Sequence, residues 1–570
     1  MERVEHDIVV VGSGLAGLRA ALEASRVSHG RLDVGIVTKT QAMRSHSVAA
    51  EGGTAGVLYP DEGDSFESHL WDTVKGSDFL ADQDAVEMFV HAAPGELRLL
   101  ERWGMPWSRR ADGRIAQRPF GGHDFPRATF AADKVGFLEM QTLYGAVQAF
   151  PNVHVHHEWF ATSILKDGNR FAGVTAINLK TGNLTIVRAK AGILATGGAG
   201  RIYGFTTNGH HSTADGLHMA YRAGLALKDL EFIQFHPTGL VPSGILITEA
   251  SRGEGGYLVN KDGERFMKRY AEKKMELAPR DVVSRSEMTE INEGRGIDGP
   301  EGIKCVGLDL RHLGEEKILE RLPQIREVTM KFLGIDPVEK LIPIKPAAHF
   351  TMGGVHTDIL GATELRGLWA AGEAGCVSIH GANRLGSNST SICLVYGRIT
   401  GGEAANYVKS WQGDGVPQDQ VLAEEKRLFD ETLNGNGDVS PYEVRDRLQE
   451  LMDRNAYVFR SGDDLARALR EIRALKRQAY RKIGDKEREY NTNFLHVLEL
   501  DSLLDTAEIV VAGAVAREES RGGHTRLDFP KRDDVHWLKH TLARRGPDGT
   551  PQLSYIPVTI TKFQPVERKY

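Results

Sequence analysis

The run Arg44-Ser45-His46-Ser47-Val48-Ala49-Ala50-Glu51-Gly52-Gly53 sets one imidazole among small residues. Small side chains let backbone approach a ligand closely, and an imidazole is a nucleophile as well as a base. A lone loop histidine is more often a solvated side chain than a chemical participant, so its neighbours must decide. Upstream lies Gly12-Ser13-Gly14-Leu15-Ala16-Gly17, a GxGxxG fingerprint that follows the apolar run from Asp7 and opens a helical pattern. Strand, glycine turn and helix together direct free backbone N–H groups and a helix dipole at a pyrophosphate. The spacing predicts a dinucleotide site beside His46.

Such a site needs a parallel sheet to hold it. A second strand, Asp33 to Lys39, ends at Thr38-Lys39 without the acidic residue that usually holds a ribose hydroxyl, which argues against NAD. A further apolar strand from Ala191 ends in the glycine loop Thr196 to Arg201, and Thr213-Ala-Asp215-Gly216 opens a helix running to Gly224. Asp215 there has the residue type that caps helices. Two glycine-ended strands far apart in sequence suggest one large cofactor gripped by discontinuous segments, which suits FAD.

Bulk properties narrow the field. At 570 residues the chain exceeds one core and should divide into several domains. A net charge of −6 gives no electrostatic reason to bind nucleic acid. Cys305, Cys376 and Cys393 are too scattered to build a zinc or iron–sulfur site, so electrons must leave through another protein. No apolar run reaches the ~20 residues that span a bilayer. With the first strand begun by Asp7, no room for a leader is expected, and the chain is expected to be cytoplasmic unless partners carry it to a membrane.

Residues from Ala81 to Ala149 read as helical, with a glycine-rich interruption near Phe120. Strands follow near Val153 to His157 and Ala172 to Leu179; the alternating His154 and His156 read as a half-exposed strand face rather than a metal site. From Gln418 to Val535 the pattern is helical and arginine-rich, and Leu553 to Lys562 alternates like a strand.

Several further motifs occur in one order: Asp229-Leu-Glu-Phe-Ile-Gln-Phe-His236-Pro-Thr-Gly, Thr248-Glu249-Ala-Ser-Arg252-Gly, Ala278-Pro-Arg280-Asp281, His349-Phe-Thr-Met-Gly-Gly354 and His380-Gly-Ala-Asn-Arg384-Leu-Gly-Ser-Asn-Ser389. With the two glycine loops, the chain resembles the flavoprotein subunit of succinate dehydrogenase and fumarate reductase from Asp7 to about Tyr407. The resemblance implies an α/β fold: a Rossmann-like FAD-binding domain over 1–236 and 347–412, an inserted α+β capping domain over 237–346, a helical domain over 413–536, and a C-terminal β segment over 537–570.

Carried over by motif, the family's dicarboxylate ligands fall on His236, Thr248, His349 and Arg384. The proton carrier falls on Arg280, with Glu249 and Arg252 as the relay behind it. Arginine is awkward as a base, given its high pKa, and easier to accept as the acid that delivers a proton to fumarate. Simple pairing of Arg280 with Asp281 is the plainer alternative. FAD contacts fall on Gly12, Ser13, Gly14, Leu15, Ala16 and Gly17, then Thr38, Lys39, Arg44, Ser45, His46, Ser47, Gly52 and Gly53, and on Asp215, Glu373, Ser389 and Thr390. His46 matches the family's covalent histidyl attachment to the flavin, which L-aspartate oxidases, similar in the other motifs, lack.

The chain departs from the family's commonest pattern at Glu51, where glutamine is usual, and at Thr390-Ser-Ile-Cys393, so flavin potential and preferred direction stay open. The implied activity interconverts succinate and fumarate with covalent FAD. The implied partners are an iron–sulfur subunit and, indirectly, membrane anchors at the cytoplasmic face, with quinone or a thiol donor at the far end. The alternatives are an L-aspartate oxidase and, from another class, a flavin-binding scaffold without turnover.

Overall fold

In a computed structural model, described over residues 2–411, 415 and 417–569, a seven-stranded sheet forms the centre. Its order is Val153–His157, Val34–Thr38, Glu2–Val11, Asn183–Leu194, Arg170–Asn178 and Trp159–Asp167, with Leu368–Ala370 also paired to Asn183–Leu194. The first four strands are parallel and the next two antiparallel. Ile8, Val9 and Val10 are wholly buried, as expected for a parallel strand covered on both faces. The strand extends back to Glu2 because Glu2 to His6 pair with Thr185 to Ala189.

The helices Leu15–Val27 and Asn388–Lys409 cross at backbone contact. A Cβ at Gly401 would stand 2.3 Å from Ala20 O, so glycine is what permits that approach. Segments far apart in the sequence thereby deliver Gly12–Gly17 and Ser389–Thr390 to one place.

The stretch read as helical from 81 to 149 differs in its middle. Helices Gln83–Arg102 and Val135–Val147 flank a small sheet in which Gln117–Arg118 and Thr54–Ala55 both pair with Ala128–Thr129. Long-range pairing wins there over local helical pattern. The strand Trp159–Asp167, absent from the sequence reading, forms a hairpin with Arg170–Asn178.

A second sheet, antiparallel, runs Ile233–Leu240, Ile342–Thr351, Lys304–Asp309 and Tyr257–Val259, and the helix Arg280–Asn292 packs against it. The limits expected at 236/237 and 346/347 fall inside paired strands of this sheet. The limit expected at 412/413 lies outside the described residues. Toward the C-terminus, helices Pro441–Asn455, Gly462–Lys476 and Thr492–Ala516 pack together, but helix stops at Ala516 and not at Val535. Beyond it Arg517, Arg521 and Arg526 are buried in ion pairs with Glu231, Glu519, Asp534 and Asp528, a network that replaces helical bonding. The last strand is Pro551–Pro557, paired with Lys539–Arg545; residues 559–563 instead run along Asp82 and Gln83.

Candidate active site

The glycine turn makes its cradle by close approach. Gly12 has φ +110°, and a Cβ there would meet Ala195 O at 2.1 Å; one at Gly17 would meet Gly12 O at 2.0 Å. No side chain caps the helix from Leu15, so its end is open toward the cavity, with only Ser47 Oγ accepting from Leu15 N at 3.3 Å. Ser13 and Thr38 hydroxyls, 2.8 Å apart, join the ends of the two strands. Asp215 is not the cap: Ala214 holds that position, and Asp215 accepts from Lys39 Nζ at 2.6 Å. The same ammonium donates to Glu499 on the helix Thr492–Ala516 at 2.8 Å, a partner the sequence reading missed.

The His46 loop folds as two short 3₁₀ turns, Ala42–Arg44 and His46–Ala49. Gly209 N donates to His46 Nδ1 at 3.4 Å, and burial pulls the imidazole down to about 4, so it is neutral near neutral pH, with Nδ1 accepting and Nε2 carrying the proton. Burial, with Asp133 adding repulsion, raises the Glu51 carboxyl well above its ordinary range, and Gln324 Nε2 donates to it at 2.8 Å. Burial likewise raises Glu373 to about 7, while Thr351 N donates to its Oε1. Thr390 Oγ1 donates to Gly53 O at 3.2 Å, fastening the distant helix to the loop.

Two antiparallel strands present the histidines. His236 stands opposite Ala347 beside a bulge, His349 follows on the partner strand, and their ring centres are 4.9 Å apart. Each holds Nδ1 within the fold, His236 toward Thr238 and His349 toward Thr207 Oγ1 at 2.7 Å. Burial first, and Arg280 next, push both well below 6.5, so both rings are neutral.

Arg280 opens the helix Arg280–Asn292 and donates from Nε to Glu249 at 2.7 Å. The plainer pairing does not occur: Asp281 instead meets Arg285 and Arg568. Glu249 also accepts from Gly121 N at 2.6 Å, and Arg252 lies 3.5 Å away. Burial alone would raise Glu249, but Arg280 and Arg252 hold it below its ordinary value. Arg384 stacks over Phe350 at 4.4 Å, bonds Ser389 through Nη1, and keeps Nη2 buried without a partner among the described residues. An unpaired guanidinium N–H in a cavity is the mark of a group awaiting an anion.

Gln234 joins the two cations. Its Oε1 accepts from Arg280 Nη1 at 3.0 Å and Arg384 Nε at 3.1 Å, while Nε2 donates to Asn383 Oδ1 and Arg384 O. It lies two residues before His236 on one strand, and that period-2 spacing was the available signal.

One cavity of about 220 Å³ takes in His46, His236, Thr248, Glu249, Arg280, His349 and Arg384. The anticipated contacts Gly12 to Ala16, Thr38, Lys39, Ser45, Ser47, Gly52, Gly53, Asp215, Glu373, Ser389 and Thr390 also line it. Three anticipated residues do not line it. Gly17 serves the helix–strand approach, Arg252 is buried behind Glu249, and Arg44 is exposed.

Comparison with known proteins agrees with this architecture. A family model described as FAD binding domain matches residues 7–390, and one described as fumarate reductase flavoprotein C-term matches 445–570. The fumarate reductase flavoprotein subunit of Mycobacterium tuberculosis is 49% identical, with 99% of each chain covered. The succinate dehydrogenase flavoprotein subunit of Rickettsia conorii is 42% identical, covering 99% of this chain and 98% of its own. Among solved structures, E. coli quinol fumarate reductase superposes with a TM-score of 0.96 at 43% identity, covering 100% of this chain and 99% of the other. The Mycobacterium smegmatis Sdh1 complex gives 0.86 at 32% identity, covering 99% and 96%.

Proposed function

This chain belongs to the family of fumarate reductase and succinate dehydrogenase flavoprotein subunits, FAD-dependent oxidoreductases of complex II type, and from that premise we propose how its own residues work. One observation carries the reading: the glycine cradle, His46 and the donor ring open onto a single cavity.

The residues fit FAD. Gly12 and Gly17 of the cradle admit no Cβ, the helix end above it is uncapped, and a neutral desolvated imidazole stands beside it. Gly12 to Ala16, Thr38, Lys39, Ser45, Ser47, Gly52, Gly53, Asp215, Glu373, Ser389 and Thr390 would hold the cofactor, and His46 would carry its covalent tether. When bound, FAD supplies the acceptor or donor of the hydride.

Arg384 meets one carboxylate of succinate or fumarate, using the N–H that is still unpaired, while His236, Thr248 and His349 complete the clamp. Pinning both ends of a four-carbon diacid can remove ~7 to 11 kcal/mol of barrier by positioning alone. Arg280 delivers the proton to fumarate and takes it from succinate. Its burial lowers the guanidinium pKa, opposed in part by Glu249, so transient deprotonation costs less than in water. Glu249 and Arg252 relay the proton behind it.

The lobe built on the second antiparallel sheet caps the cofactor domain, with helices between Gln418 and Ala516 and the paired strands Lys539–Arg545 and Pro551–Pro557 after them. Electrons pass to an iron–sulfur subunit and then to quinone, and anchor subunits hold the assembly at the cytoplasmic face of the membrane. The similarity to quinol fumarate reductase and an Sdh1 complex supports this reading. No described helix is long and apolar enough to cross a membrane.

The test is turnover in both directions, with succinate and an oxidising dye, and with fumarate and a reduced viologen. Arg280→Gln should abolish both while FAD stays bound. Retained turnover would remove the relay from the account.

A further inference from the structure

The buried face of the helix Val135–Val147 runs Gly136, Glu139, Met140, Leu143 and Val147, so a carboxyl stands where the helical period calls for an apolar side chain. Glu139 is 0% exposed, and its Oε2 has no hydrogen-bond partner among the described residues. Burial raises the acid to about 8, against a hydrogen bond from Thr54, so it is neutral near neutral pH.

The neighbouring backbone sets this acid behind the cofactor cavity. Gly136 N donates to Ala50 O at 2.7 Å, and a Cβ at Gly136 would stand 2.2 Å from Ser47 O, so the helix lies directly on the loop that carries His46. Thr54 Oγ1 bonds Glu139 Oε1 and stands 2.9 Å from Thr390 Oγ1, which reaches Gly53 O at 3.2 Å and Ser387 O at 3.3 Å. Gly53, Ser387 and Thr390 line the cavity. Hydrogen bonds therefore run unbroken from the carboxyl to the cavity wall.

Each hydroxyl has one proton, which gives this chain two settings. With the acid neutral, Glu139 donates to Thr54, Thr54 to Thr390, and Thr390 to a carbonyl of the wall. With the acid ionised, Thr390 donates to Thr54 and Thr54 to the carboxylate. One proton passed along the hydroxyls and out at Thr390 converts the first setting into the second. The other titratable groups on the packed elements are already neutral, paired or exposed. Cys393, on Asn388–Lys409, is held neutral by burial, which raises its thiol to about 12. His46 is neutral, Arg44 is exposed, and Arg19 and Arg398 are both paired with Glu96.

We propose that Glu139 is a positioning residue for the redox step: through Thr54 and Thr390 it answers the cofactor's change of charge by taking up or releasing one proton, and so sets how the flavin potential follows pH. The proposal rests on the FAD reading given above, and it gives the departure at Thr390-Ser-Ile-Cys393 a purpose. Succinate supplies FAD with two electrons and one proton, which leaves the cofactor more negative by one charge. A nearby negative charge strengthens an acid's hold on its proton. Where Glu139 is ionised it therefore gains one proton from solvent through the cavity; an O–H bond forms and no electron reaches it.

The experiment uses the full FAD-loaded chain and measures the flavin midpoint potential, by absorbance against redox dyes, at pH values on both sides of 8. The unaltered chain should show a potential that falls more steeply above about 8, by one further proton per two electrons, or ~30 mV per pH unit for a two-electron couple. Glu139→Gln keeps the size and the donor to Thr54 but cannot ionise, so its line should keep the shallower slope and part from the unaltered chain only on the alkaline side. The difference between the two lines removes Glu373, which is present in both. Equal slopes, or a constant offset between the lines, would overturn the proposal and leave FAD binding standing. If Glu139→Gln holds no flavin, Thr54→Val decides: it removes the hydrogen bond that lowers the acid, so a break moved to higher pH supports the proposal and an unmoved one overturns it. An unaltered chain that takes up no FAD would instead remove the reading beneath it.

Discussion

At the scale of residues, the arrangement around Gln234 shows how two like charges are held in one buried site. Arg280 and Arg384 both donate to its side-chain oxygen, and its amide nitrogen is fixed by Asn383 and the Arg384 carbonyl, so the amide cannot turn over. Gln234→Leu leaves one N–H on each guanidinium buried and unpaired, at ~1 to 3 kcal/mol each. We expect kcat/KM for fumarate to fall roughly tenfold to a hundredfold with flavin content unchanged, read from steady-state rates and flavin absorbance. An unaltered rate would show that the arginines hold their own positions. The histidines and arginines of the site were legible because their motifs fix position and order. Gln234 was not, since a glutamine among apolar residues reads as an ordinary strand residue until its neighbours across the fold are known.

At the scale of elements, the C-terminal pair of strands is held to the body of the chain by a buried ion pair on its first strand. His540, on Lys539–Arg545, bonds Asp229 at 2.6 Å and Asp82 at 3.2 Å. Burial opposes the charge, but the two carboxylates prevail and raise the imidazole to about 9. A raised folded-state pKa contributes stability that is complete below the unfolded value near 6.5 and lost as pH rises through about 9. His540→Asn should therefore lower the Tm most at mildly acidic pH, and the gap from wild type should narrow as pH passes 9. Thermal melts across that range check it; a gap independent of pH would contradict it. The parallel strands Glu2–Val11, Val34–Thr38 and Asn183–Leu194 of the central sheet were legible from their apolar runs, whereas Trp159–Asp167 in the same sheet was not. The small sheet around Ala128 was not, because two-residue strands carry no period, and their pairing with Thr54–Ala55 is set by tertiary contact.

At the scale of the molecule, the site exists because distant segments converge. Lys39 and Glu499, separated by 460 residues, share one ammonium contact, and Ser389–Thr390 reach the loop that carries His46. No local pattern announces such meetings; the order of the motifs implied them. The central claim is that the diacid clamp and the flavin occupy one cavity. Malonate titrated into the FAD-loaded chain, with the visible flavin spectrum followed, tests this most directly. The account predicts a saturable perturbation that Arg384→Leu weakens at least roughly a hundredfold, as expected for losing a paired charge in a buried site. A flavin band that malonate leaves unmoved in the unaltered chain would contradict it.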